Sequence, residues 1–109
     1  MFLPNQRREL PIHFRALANP TRLRILERLA GADELSVNDL ARGLRMSQPR
    51  ISWHLQLLRV GGAVRTRRVG RLVYCSLDRE TIRSRQEELG ELLGIGFAAP
   101  SILSNEVTR

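Results

Sequence analysis

Between Ser47 and Gln56 the chain reads SQPRISWHLQ, which is rich in side chains that can hydrogen-bond a flat polar edge. If the stretch is a helix with Ile51, Leu55 and Leu58 turned to a core, then Pro49, Ser52, Trp53 and Gln56 lie on the far side. Gln48, Ser52 and Gln56 can then hydrogen-bond base edges, and Arg50 can fork onto guanine or phosphate. Trp53 can pack on thymine methyls or sugars, and Ser47 offers its hydroxyl and a helix N-terminus to a phosphate. Catalytic chemistry is not in view. His13, His54, Cys75 and the scattered acids form no nucleophile–base arrangement, so no enzyme and no cofactor is expected.

The charge pattern points the same way. All 18 basic residues are arginine, and the formal net charge is +7. No acid lies between Asp39 and Asp78, a window that holds Arg42, Arg45, Arg50, Arg59, Arg65, Arg67, Arg68 and Arg71. The other ten arginines are balanced by eleven acids, so the whole excess sits in one contiguous stretch. A solvated surface mixes its signs, whereas a one-sign window fits a polyanionic partner. The lone cysteine rules out an internal disulfide and fits a reducing compartment. With no hydrophobic leader and no apolar run of membrane-spanning length, the chain reads as cytoplasmic, with no membrane partner.

The elements that must position these residues are marked by caps and breakers. Residues 1–10 read as an N-terminal arm, residues 11–93 as one domain, and residues 94–109 as a flexible C-terminal tail. Pro11 fits the first turn of a helix that buries Ile12, Leu17 and Phe14 and stops near Asn19. Pro20 opens a second helix with Leu23, Ile25, Leu26 and Leu29 inward, ended by Gly31. Ser36 and Asp39 form a capping-box pair for a short third helix burying Val37, Leu40, Ala41 and Leu44. Ser47 caps the fourth helix, and Gly61-Gly62 stops it. Residues 63–69 and 72–77 read as strands joined around Gly70, a hairpin with a basic tip. Asp78 caps a last helix to about Leu93, with Ile82, Leu89, Leu92 and Leu93 apolar.

The predicted fold class is therefore mainly α with a small β-hairpin, in the order α-α-α-α-β-β-α: a winged helix-turn-helix. The stretches ALANPTRLRILERL at 16–29, SQPRISWHLQLLRVGGAV at 47–64 and GRLVYCSL at 70–77 carry a resemblance to the ArsR/SmtB family of bacterial transcriptional regulators. It spans roughly residues 12 to 93 and implies a homodimer, joined through its first and last helices, on an inverted-repeat operator in double-stranded DNA. It also implies that His54 supports a contact to the DNA backbone; read without it, His54 is a partly buried, hydrogen-bonded histidine. Trp53 likewise has a second reading, as packing against the wing or a symmetry mate. Arg65, Arg67, Arg68 and Arg71 cannot all face inward, so phosphate or minor-groove contact is expected from the wing.

Many members of that family bind metal through cysteines on the third helix, where this chain has Ser36 and Asn38. A second family site on the last helix is matched by Asp78, with Glu80 in a histidine position and Glu91 near a later ligand. Three carboxylates without imidazole make a poor zinc or nickel site, so no intact metal site is expected. Control by an effector-sensing partner protein or another effector is expected instead. The alternatives are a metal-responsive repressor using the carboxylates of the last helix, and a winged helix that serves only as a protein-interaction module.

Overall fold

The computed structural model describes residues 8–96, which form five helices and a small sheet. Helix α1 (Glu9–Leu17) begins two residues before Pro11 and buries Leu10, His13 and Ala16, so residues 9 and 10 belong to the helix and not to an arm. The expected inward set of Ile12, Phe14 and Leu17 is only half-buried. The helix is rotated so that His13 goes inside: its Nδ1 lies 2.7 Å from the Gly61 carbonyl, whereas its buried Nε2 has no partner, so the polar cost of burial is met only in part. The remainder of the predicted arm, and residues 97–109 of the predicted tail, lie outside the described residues.

Helix α2 (Pro20–Ala30) starts as its sequence directs, with the Asn19 side chain accepting from the Arg22 N–H and Pro20 in the first turn. Ile25 and Leu29 are buried, but Leu23 faces solvent and Arg22 takes the inward position expected of it. A strand too short to show any alternation, β1 (Leu35–Ser36), was not anticipated. Helix α3 (Val37–Leu44) carries the expected capping box, with Ser36 and Asp39 bonded reciprocally at 3.0 and 3.2 Å. Helix α4 (Gln48–Val60) is capped by Ser47, whose hydroxyl accepts from the Arg50 N–H.

The wing is a hairpin of β2 (Val64–Val69) and β3 (Leu72–Leu77), in register from Val64↔Leu77 to Val69↔Leu72. Gly70, at φ 61°, supplies the positive φ that a two-residue turn needs at its first central position. Strand β1 adds to β3 with Leu35 opposite Cys75, giving a three-stranded antiparallel sheet in the order β1-β3-β2. Helix α5 (Arg79–Leu93) is capped by Asp78 and ends at Gly94 in the left-handed region.

One core joins these elements, built from Ile25, Leu29, Leu40, Leu44, Ile51, Leu55, Leu58, Val64 and Cys75. The turn after α4 is tight against α1: a Cβ on Gly61 would fall 2.6 Å from the Ala16 Cβ, so only glycine fits there. Ile82 of α5 packs on the core, whereas Leu92 and Leu93 of its last turn, and Ile95 beyond it, are exposed in the single chain.

Candidate nucleic-acid interface

The inner side of α4 is fixed by Ile51, Leu55 and Leu58, all buried. That leaves Gln48, Pro49, Arg50, Ser52, Trp53 and Gln56 exposed, with the tryptophan 60% accessible. The amide oxygen of Gln56 accepts from Arg59 at 2.7 Å, which leaves its NH2 to donate to a base acceptor. His54 departs from the set. It is buried on the inner side, with Nδ1 3.3 Å from a guanidinium nitrogen of Arg22 and its ring edge-on to Trp53 at 4.9 Å. This placement is that of a buried histidine within hydrogen-bond distance of Arg22, with little side-chain surface left for a direct contact. Burial, Arg22 and Arg50, in that order, hold its pKa below the usual histidine value.

The wing divides its arginines by strand alternation. Arg65 reaches Asp78 at 3.3 Å and Glu80 at 3.7 Å. Arg67 makes two bonds to Glu34, at 2.7 and 2.8 Å, with its guanidinium carbon 5.0 Å from the Tyr74 ring centre. The bond from Arg67 holds the Glu34 carboxyl below the usual carboxylate range. Arg68 points to the other face and lines a cleft of about 280 Å³ with Ser52, Gln56 and Arg59 of α4. Arg71 at the tip lines an adjoining cleft of about 170 Å³ with Gln48 and Ser52. Ser52 therefore borders both clefts, with α4 on one side and the wing on the other.

Acids outside the basic window thus return to it in space. Arg42 pairs with Asp39 at 2.7 Å, and Arg65 and Arg67 are paired as above. Among the described residues, Arg45, Arg50, Arg59, Arg68 and Arg71 of the window have no carboxylate partner, Arg59 being bonded to the Gln56 amide instead. Arg45, exposed and outside the expected set, lies in the turn before α4 and is the one described non-glycine residue at positive φ, 56°.

Of the weak metal candidates, Asp78 is committed to the N-cap: one oxygen accepts from the Thr81 N–H and from Arg65, the other from the Thr81 hydroxyl. Glu80 and Glu91 are exposed, and among the described residues no three His, Cys, Asp or Glu side chains gather. Cys75 is fully buried, and burial with the nearby Glu34 charge pushes its thiol up to about 11. An aromatic disulfide reagent at neutral pH is therefore expected to label the native protein only as fast as it opens, and to label it fully in denaturant. Rapid labelling of folded protein would refute that burial.

A family model described as Helix-turn-helix domain matches residues 17–67. The chain is 38% identical over 89 residues to a transcriptional repressor SmtB homolog of Synechocystis, covering 82% of this chain and 67% of that protein. It is 44% identical over 70 residues to an arsenic resistance transcriptional regulator of Pseudomonas putida, covering 64% of this chain and 55% of the relative. In structure it resembles a homodimeric winged helix-turn-helix DNA-binding domain of Mycobacterium bovis, a possible ArsR-family regulator. The TM-score is 0.64, with 32% identity over 79% of this chain and 78% of that one. Among the described residues no helix is long and apolar enough to cross a membrane.

Proposed function

The chain belongs to the ArsR/SmtB family of winged helix-turn-helix transcriptional regulators, and we propose that it binds an inverted-repeat operator in duplex DNA as a cytoplasmic homodimer. The observation that carries this is the meeting of the exposed face of α4 with Arg68 and Arg71 around Ser52. A helix in the major groove presents Gln48, Ser52, Trp53 and Gln56 to base edges, while the wing arginines and Arg50 meet the backbone on either side.

The dimer is supported by apolar surface on α5. Leu92, Leu93 and Ile95 are exposed in one chain, and a second copy would remove them from water. Two copies related by a two-fold axis would place their recognition helices about 34 Å apart, one helical turn of DNA. Control falls to a partner protein or another effector, since Ser36 is spent as a cap and Asp78 on Thr81 and Arg65. A carboxylate metal site on α5 would first have to break that cap.

Selection from a random-sequence duplex library, followed by gel shift and light scattering, tests the reading. Enrichment of an inverted repeat with half-sites about 10 base pairs apart, bound by a dimer, is expected. Equal affinity for selected and random duplexes would leave only the interaction-module reading.

A further inference from the structure

Arg22 is 8% exposed, yet none of its partners is a carboxylate. Its Nε donates to the Ala16 carbonyl at 2.7 Å and one Nη to the Arg15 carbonyl at 3.4 Å. These oxygens belong to the last turn of α1, where helix carbonyls lack intrahelical partners and a cation is favoured. The other Nη lies 3.3 Å from Nδ1 of His54. Arginine can only donate, so Nδ1 accepts and the ring is neutral, with its proton on Nε2. The His54 ring in turn stands edge-on to the exposed Trp53. One guanidinium thus ties the end of α1 to the middle of the helix that carries the base-reading face.

We propose that Arg22 is a positioning residue which, through neutral His54, fixes the rotation of α4 against α1, so that protonating His54 frees the helix and lowers sequence-specific DNA affinity. This rests on the DNA-binding reading above. The charges acting on His54 are Arg22 from α2 and Arg50 on α4 itself. Helix α1 contributes the two carbonyls held by Arg22, and its own His13 is engaged by Gly61. Protonation would turn the acceptor into a donor facing a guanidinium and set like charges side by side. Because the folded state disfavours charged His54, the Arg22–His54 bond persists below the ordinary histidine value and breaks as pH falls through the lowered folded value. The sign is diagnostic: every other protonation adds positive charge and tightens binding to a polyanion.

The test measures affinity for a duplex selected by the protein and for a random duplex, from about pH 7.5 down to the lowest pH at which circular dichroism remains native. Uptake of one proton by each protomer of the dimer permits a drop of up to about a hundredfold per pH unit. Specific affinity of the wild type is expected to fall with that limit, while random-duplex affinity holds or rises. His54→Asn keeps an acceptor at the δ position without titrating, so, whatever its affinity near neutrality, it is expected to show a flat profile. Arg22→Lys, whose single nitrogen cannot span acceptors that three separate guanidinium nitrogens reach, is expected to lose about tenfold in specific affinity only. Should that variant fail to fold, the wild-type and His54→Asn profiles still decide. A wild-type affinity that stays level or rises on acidification, or the same decline in His54→Asn, overturns the proposal. No preference for the selected duplex at any pH would instead refute the DNA-binding reading.

Discussion

Replacing Arg68 and Arg71 together by alanine is expected to flatten the slope of log K against log salt by about 0.9 for each phosphate no longer neutralised, hence by about 3.6 for a dimer in which each protomer gives up two. Affinities for selected and random duplexes should fall together, because phosphate contacts carry no sequence information. Replacing Arg65 and Arg67 removes the same formal charge from the same hairpin but is expected to change the slope by less than half as much. Those two are already neutralised, Arg65 by Asp78 and Glu80 and Arg67 by two bonds to Glu34. For them to bind phosphate they would first have to give up a carboxylate, which offsets most of the gain. Arg68 and Arg71 have no carboxylate partner among the described residues and face α4 across the clefts that Ser52 borders. Salt titrations of the two double variants compare them directly. Equal flattening would mean that the ion pairs open on DNA and that strand alternation does not sort the wing.

The contrast also marks what a one-dimensional reading can reach. Helix order and ends were legible because caps act locally: Asn19, Ser36, Ser47 and Asp78 each bond a backbone N–H three residues on. The exposed face of α4 was legible because Ile51, Leu55 and Leu58 set one helical stripe. The acid-free window was real along the chain but not in space, since Glu34 lies 33 residues from Arg67 and meets it only through sheet formation. Of the polar groups that go inside, His54 was legible as a partly buried, hydrogen-bonded histidine, but His13 and Arg22 were out of reach. Their partners are the Gly61 and Ala16 carbonyls and the His54 ring, which only the fold brings close, and helical periodicity counts only apolar residues. Leu23, by contrast, reads as core on polarity alone and lies outside it.

The largest effect on stability is expected on the hidden side of the recognition helix. Ile51→Ala should cost about 2–5 kcal/mol, since Ile51 is fully buried in the cluster that joins α2, α3 and α4 to the wing. Against a total of about 5–15 kcal/mol for a domain of this size, that is a large share. At about 4–8 °C per kcal/mol it lowers Tm by about 10 °C or more. Trp53→Ala, two residues away, removes a bulkier side chain but one that is 60% exposed and touches the interior chiefly through the edge of His54. Its expected cost is about 1 kcal/mol or less, while preference for the selected duplex over random DNA should drop by about 1–3 kcal/mol, if one base contact goes with it. Melting curves by circular dichroism, with duplex binding measured below both transitions, separate the two effects. A Trp53→Ala variant as unstable as Ile51→Ala would place the tryptophan in the packing of the protein and remove it from the DNA-reading face. A stable variant with diminished discrimination would place it at the bases, held there by the buried Ile51, Leu55 and Leu58 on the helix's other side.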